Sequence, residues 1–317
     1  MEPGAVRAMM KETSELLETI AASDVFPRLR WVDWATGLDA RIKRTASKLD
    51  AVLEGALREH EKGCGGGGGG GGNDSEADDL LDDLLSAVKK GGAGLSLDRT
   101  DVKGLILDFF LAGTDTTATT MEWTMAELVK NPNEMEKVQA EVRRVVGQGQ
   151  HGRSVTEEGL GAMARLQAAM KEALRLHPPV PMLVPREAIR DTRLRGYDVP
   201  AGTRVLVNAW AIGRDGESWG EDADAFRPER WFARGAAAAD YGGHDTRFIP
   251  FGAGRRGCPG VGFGTRLAEL ALASMLYHFD WELPGGQDAG SFEFVESNGL
   301  SAGLKFPLTL VAKPFRA

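Results

Sequence analysis

The sequence predicts a mainly α-helical chain with a minor β-sheet, and three observations carry that expectation. Apolar residues recur at helical spacing through most segments. One such pattern runs unbroken from about Asp98 to Asn131. Strand-like sequence, rich in Val, Pro and Gly, is confined to 180–210 and to short stretches at the C-terminus. The chain has 317 residues, 42% of them apolar, which is ample material for a buried core.

Taken in order, residues 5–22 and 39–61 are expected helices, the second carrying Leu49, Val52, Leu53, Ala56 and Leu57 at helical spacing. Between them DVFPRLRWVDWATGLD mixes Pro, Trp and charge and is expected to be an irregular loop. Residues 63–75 hold eight consecutive glycines. Glycine loses the most backbone entropy on ordering, so this tract is expected as a flexible linker. It lacks the Lys and Ser or Thr that a phosphate-binding loop requires.

After a short acidic helix, ADDLLDDLLSAVKKG, the long helix is expected to start at an N-cap, Ser96, and to stop at Asn131-Pro132. At 1.5 Å per residue it would reach roughly 50 Å, enough to cross a domain. Helices over 133–146 and 162–177 follow, the latter ended by His177-Pro178-Pro179. Extended segments occupy 180–210, and a last helix over 260–279 follows a Gly- and Arg-rich loop. The divisions expected are 1–62, a linker over 63–75, and a core over 76–317.

A net charge of -8 argues against nucleic acid as a partner, because phosphate binding needs a basic face. Two cysteines cannot build a disulfide framework and fit a reducing compartment. The N-terminus lacks the apolar core of a signal peptide, and there is no run of about 18 uncharged apolar residues, so the chain as it stands is expected to be soluble. His60, His151, His177, His244 and His278 stand singly, without metal-ligand spacing, and are expected as surface or core residues, with His177 at a helix end.

The chemistry concentrates around Cys258, which lies just before a helix among Gly252, Gly254, Gly257, Pro259 and Gly260. Glycines let a backbone approach a planar ligand and free its N–H groups to point at the sulfur. A helix N-terminus and the neighbouring Arg255 and Arg256 favour a thiolate. The residues alone leave two readings, a structural cysteine in a turn or an activated thiol. Zinc is poorly supported, since no second ligand stands at the right spacing.

The string Phe251-x-x-Gly254-x-Arg256-x-Cys258-x-Gly260 resembles the haem-binding loop of the cytochromes P-450, with every fixed position matched. Three further segments resemble the same family in the same order. Ala112-Gly113-Thr114-Asp115-Thr116-Thr117 lies within the long helix, where consecutive threonines compete for backbone carbonyls. A bond from Thr116 to the carbonyl of Ala112 would loosen the helix, with Gly113 leaving room beside it. Glu172-Ala-Leu-Arg175 places a carboxylate and a guanidinium on one helix face, and Phe226-Arg-Pro-Glu-Arg230-Trp231 supplies a second arginine. VLVNAWAIGRDGESWGEDADAFRPERW and RLHPPVPMLVPRE look like the plant microsomal branch, and the resemblance covers residues 5 onward.

The resemblance implies a P-450 fold that is partial here, and a haem-thiolate monooxygenase acting on a small lipophilic plant metabolite. It assigns the iron to Cys258, the haem propionates to Arg256 and Arg186, and the haem surroundings to Phe251, Gly252, Gly260, Ala112 and Gly113. Thr116 would orient O2 and water, and Asp115 would relay protons. Glu172, Arg175 and Arg230 would form a structural network fixing the cysteine loop. Val180, Met182, Leu183, Leu300 and Ser301 would line the substrate pocket. A thiolate axial ligand favours O–O cleavage. Electrons would come from an NADPH reductase of the endoplasmic reticulum membrane, docking near Arg255 with Lys137, Arg143 and Arg144. The resemblance implies that the sequence starts at the family's substrate-lid helices, so the family's membrane anchor, Pro-rich hinge and first helices are expected to be absent from it. That leaves open a truncated, non-catalytic chain with impaired haem binding. A haem-thiolate isomerase or dehydratase is disfavoured by Thr116.

Overall fold

The structure is a computed structural model that describes residues 3–65, 80–90, 97–148, 154–232, 241–287, 294–297 and 299–315. The glycine tract beyond Gly65, Ser96 and His151 lie outside the described residues. Helices dominate. The chain divides into two compact units, Met1–Gly113 and Thr114–Ala317.

The first unit contains α1 (Pro3–Glu18), α2 (Ala22–Val25), α3 (Arg30–Ala35), α4 (Leu38–Gly65), α5 (Leu80–Lys90) and the first half of α6 (Arg99–Lys130). The segment expected as an irregular loop is instead folded into α2, a 3-10 turn over Pro27–Leu29 and α3. The reason is Asp33, 3% exposed, whose carboxylate accepts from the N–H groups of Ala22 at 2.8 Å and Ser23 at 3.1 Å. That bond satisfies donors at the start of α2 that a short helix cannot pair internally. A small core joins Leu57 of α4, Leu85 of α5 and Val102 of α6. Asp98 caps α6: its carboxylate accepts from the N–H of Thr100 at 2.7 Å and of Asp101 at 2.9 Å, and Asp101 accepts in return from the N–H of Asp98 at 2.8 Å.

The second unit runs from the rest of α6 through α7 (Pro132–Gln148), α8 (Glu157–Leu160) and α9 (Ala164–Leu176). Pro132 stands at the first position of α7, where its missing N–H costs nothing. Three antiparallel two-stranded ladders follow: β1 (Arg186–Glu187) with β4 (Arg204–Val205), β2 (Thr192–Leu194) with β3 (Tyr197–Val199), and β5 (Phe279–Glu282) with β6 (Val311–Pro314). Short helices α10 (Ala209–Ile212) and α11 (Gly216–Trp219) precede α12 (Val261–His278). The main core packs α6, α7, α9 and α12 through residues such as Leu128, Val142, Leu166, Met170, Leu272 and Leu276. The helix α6 is continuous across 112–117, so the threonines do not interrupt it. Among the described residues no helix is long and apolar enough to cross a membrane.

Candidate active site

The turn before α12 brings the thiol of Cys258 to the surface, since the residue is exposed. Its backbone is shaped by two left-handed glycines, Gly252 at φ 72° and Gly254 at φ 71°, positions that disfavour a side chain. The Cys258 N–H donates to the Phe251 carbonyl at 2.9 Å, closing the loop, and Gly260 stands at the N-cap of α12 without a side-chain cap. The N-terminal amides of α12 therefore lie directly after the sulfur. Phe251 is half-buried and Gly252 buried, whereas Arg255 and Arg256 are exposed.

Two other segments hold this turn. Arg186 on β1 donates from Nη2 to the Arg256 carbonyl at 3.0 Å. Gly243, at φ 72°, lies so close beneath that an added Cβ would stand 2.6 Å from the Gly252 carbonyl oxygen. Sequence reasoning did not single out Gly243.

The expected ionic network is present and buried. Glu172 and Arg175 on α9 are 0% and 1% exposed. Arg175 donates to Glu172 through Nε at 3.0 Å and Nη2 at 2.7 Å, and Arg230 Nε reaches Glu172 Oε1 at 2.7 Å. Trp231 Nε1 adds a fourth donor at 2.9 Å and the Arg227 N–H a fifth at 2.9 Å. Arg175 also serves the carbonyls of Gly213, Ala223 and Ala225. A Cβ on Gly213 would overlap the Arg175 carbonyl, so only glycine fits there. From this centre aromatic rings lead to the cysteine turn: Trp231 meets Phe248 at 4.7 Å, Phe248 meets Tyr241 at 5.9 Å, and Tyr241 meets Phe251 at 5.3 Å. The buried Tyr241 hydroxyl is pushed up by its burial, then by the charge of Glu269.

On α6, Asp115 is exposed, Thr116 half-buried and Thr117 buried. Thr120 and Thr124 bond back to the carbonyls of Thr116 and Thr120 at 2.8 and 2.7 Å. Ala112 and Gly113 are exposed, and a Cβ on Gly113 would meet nothing within 4 Å. Val180 and Ser301 are half-buried, Leu183 is buried, and Met182 and Leu300 are 39% and 44% exposed. The structure brings these two groups together, because the Ala302 N–H donates to the Pro179 carbonyl at 2.8 Å. Leu183 sits at φ 50°, a strained value for leucine, in a turn closed onto Val180. The Ser301 hydroxyl is buried and finds no partner among the described residues.

Lys137 and Arg143 are engaged inside the unit. Lys137 pairs with Glu134 at 2.6 Å and Glu229 at 2.8 Å, and Arg143 with Asp280 at 2.7 Å. Arg144 and Arg255 remain exposed. His177 was expected as an ordinary helix-end residue; it does cap α9, but both ring nitrogens meet carboxylates, as described below.

The donor set suits a macrocycle-held metal. Among the described residues no three His, Cys, Asp or Glu side chains gather to hold an ion. An accessible sulfur in a glycine turn with two arginines could serve a metal already held by an organic ligand.

Comparison with known proteins agrees. The Cytochrome P450 family profile matches residues 2–301. Cytochrome P450 71A1 of Persea americana is 48% identical over 305 residues, covering 95% of this chain and 58% of the relative. Cytochrome P450 71A25 of Arabidopsis thaliana is 40% identical over 303 residues, covering 95% and 59%. Cytochrome P450 71A8 of Mentha piperita is 41% identical over 303 residues, covering 96% and 57%. The chain belongs to the cytochrome P450 family, whose members bind haem. It spans rather more than half the length of these curated relatives.

Proposed function

We propose that the protein is a haem-thiolate monooxygenase, with Cys258 as the iron ligand and a small lipophilic substrate. The observation that carries this reading is the exposed thiol in the Phe251–Gly260 turn, braced by Arg186 and by rings leading from the Glu172 network. Bound haem would supply O2 activation, using two electrons from an NADPH reductase. The chain's residues supply the rest. Cys258 gives the thiolate, sheltered by the backbone amides after it. Arg256, with Arg186, neutralises propionate charge. Phe251, Gly252 and Gly260 border the ring by their match to the family's motif.

Thr116 Oγ1 holds water where protons are needed, and the Asp115 carboxylate, exposed on the same helix, exchanges them with solvent. Val180, Met182, Leu183 and Leu300 give the pocket wall its apolar character, and the unpaired Ser301 hydroxyl offers one polar contact. Arg255 and Arg144 are the exposed charges available to an acidic reductase face.

The deciding experiment supplies the full-length haem protein with reductase, NADPH, 18O2 and a panel of lipophilic compounds. One 18O atom per product molecule, with electron use uncoupled from product in Thr116→Ala, supports the monooxygenase. Oxygen-free isomerisation, or coupling unchanged in Thr116→Ala, overturns the roles given.

A further inference from the structure

A polar centre not used above lies where α9 ends. The His177 ring is stacked on the Trp123 indole of α6, with centroids 3.7 Å apart and planes 2° from parallel. Its Nε2 lies 2.8 Å from Glu127 Oε1 on α6, and its Nδ1 lies 3.0 Å from Glu296 Oε1. The His177 and Glu127 side chains are each only 11% exposed. Each ring nitrogen thus faces one carboxylate, and the ring links the two.

Each carboxylate belongs to a different segment. Glu127 is part of α6 and also accepts from Asn131 Nδ2 at 3.4 Å. Glu296 bridges Leu304, and around that bridge the Ser297 N–H donates to Gly303 and the Lys305 N–H to Val295, both at 2.8 Å. This paired segment carries Leu300 and Ser301. Its other side is fixed by Trp123 Nε1, which donates to the Ala302 carbonyl at 2.9 Å, and by Glu122, which accepts from the Leu304 N–H at 3.2 Å. Among the described residues Arg214, after α10, also faces this centre, 4.0 Å from the same Glu296 oxygen and paired with Asp224. Arg175, further back on α9, is committed to Glu172. The Glu296 carboxyl is held below its usual range, first by its hydrogen bond to His177 and then against its partial burial by the charges of His177 and Arg214.

We propose that His177 is a positioning residue whose ring, held between Glu127 and Glu296, ties the segment around Glu296 to α6, and so sets the wall carrying Leu300 and Ser301. The consequence for substrate rests on the pocket reading above; the tie itself rests only on His177, Glu127 and Glu296.

Amide hydrogen exchange of the full-length haem protein tests the tie, with peptides around Glu296 and Leu304 compared with β5 as an internal reference. Protection of those peptides should fall about tenfold in His177→Ala, the weight of one charge-assisted hydrogen bond, with β5 unchanged. Glu296→Ala should show the same local loss, and His177→Gln, which still carries a donor, should recover part of it. Wild-type protection in His177→Ala or Glu296→Ala overturns the proposal. Phenylimidazole affinity of Leu300→Ala reads the pocket separately: an unchanged value alongside lost protection in His177→Ala overturns the pocket reading and not the tie.

Discussion

Gly264 of α12 lies against Thr117 of α6: a Cβ on the glycine would stand 3.6 Å from the threonine hydroxyl. That contact sets the helix that follows Cys258 directly on the helix that carries Asp115 and Thr116. The space accepts a methyl group and little more. Gly264→Ala should keep wild-type haem content, whereas Gly264→Leu should lose about 1–3 kcal/mol by overpacking, together with haem. Denaturant midpoints and haem-to-protein absorbance ratios check both variants.

Glu172 receives five donors with no exposure to water. Removing it strands the Arg175 guanidinium in the core, which should cost about 3–5 kcal/mol. Glu172→Ala should therefore fail to fold or should melt far below wild type. Arg144→Ala, at an exposed position, should stay within about 0.5 kcal/mol. Equal melting curves for the two variants would contradict the network's role.

In the first unit, Glu54 is held from an ordinary 4.5 down to about 2, first by its hydrogen bond from Arg99 and then by that from Arg58. Its folded value is depressed, so the stabilisation is complete above pH 4.5 and is lost as pH falls towards about 2. Carboxyl NMR titration should find Glu54 still ionised well below the ordinary range. Arg99→Gln should return it towards that range, and an unshifted titration in this variant would refute the cause. The effect should shrink in high salt, since Arg99 is 37% exposed.

The helices were legible in the sequence because their spacing is local, and so was the cysteine turn, whose glycines and sulfur occupy ten successive residues. The Glu172–Arg175 pair was also local, but its Arg230 arm became visible only through family resemblance, since nothing near Arg230 names its partner. What the sequence hid depends on distant contacts. Asp33 turns an apparent loop into helices by capping a segment upstream. His177 stood alone along the chain, although Trp123 and Glu127, one turn apart on α6, both meet its ring. Gly213 and Gly243 carry no local signal, and only the carbonyls packed against them single them out.

The central claim is that the Cys258 sulfur bonds haem iron. Its most direct test is the absorption spectrum of the reduced, haem-loaded protein under carbon monoxide, for wild type and Cys258→Ala. The account predicts a Soret band moved far to the red in the wild type and its disappearance in the variant. A wild type without that band, or a variant that keeps it, would contradict the account.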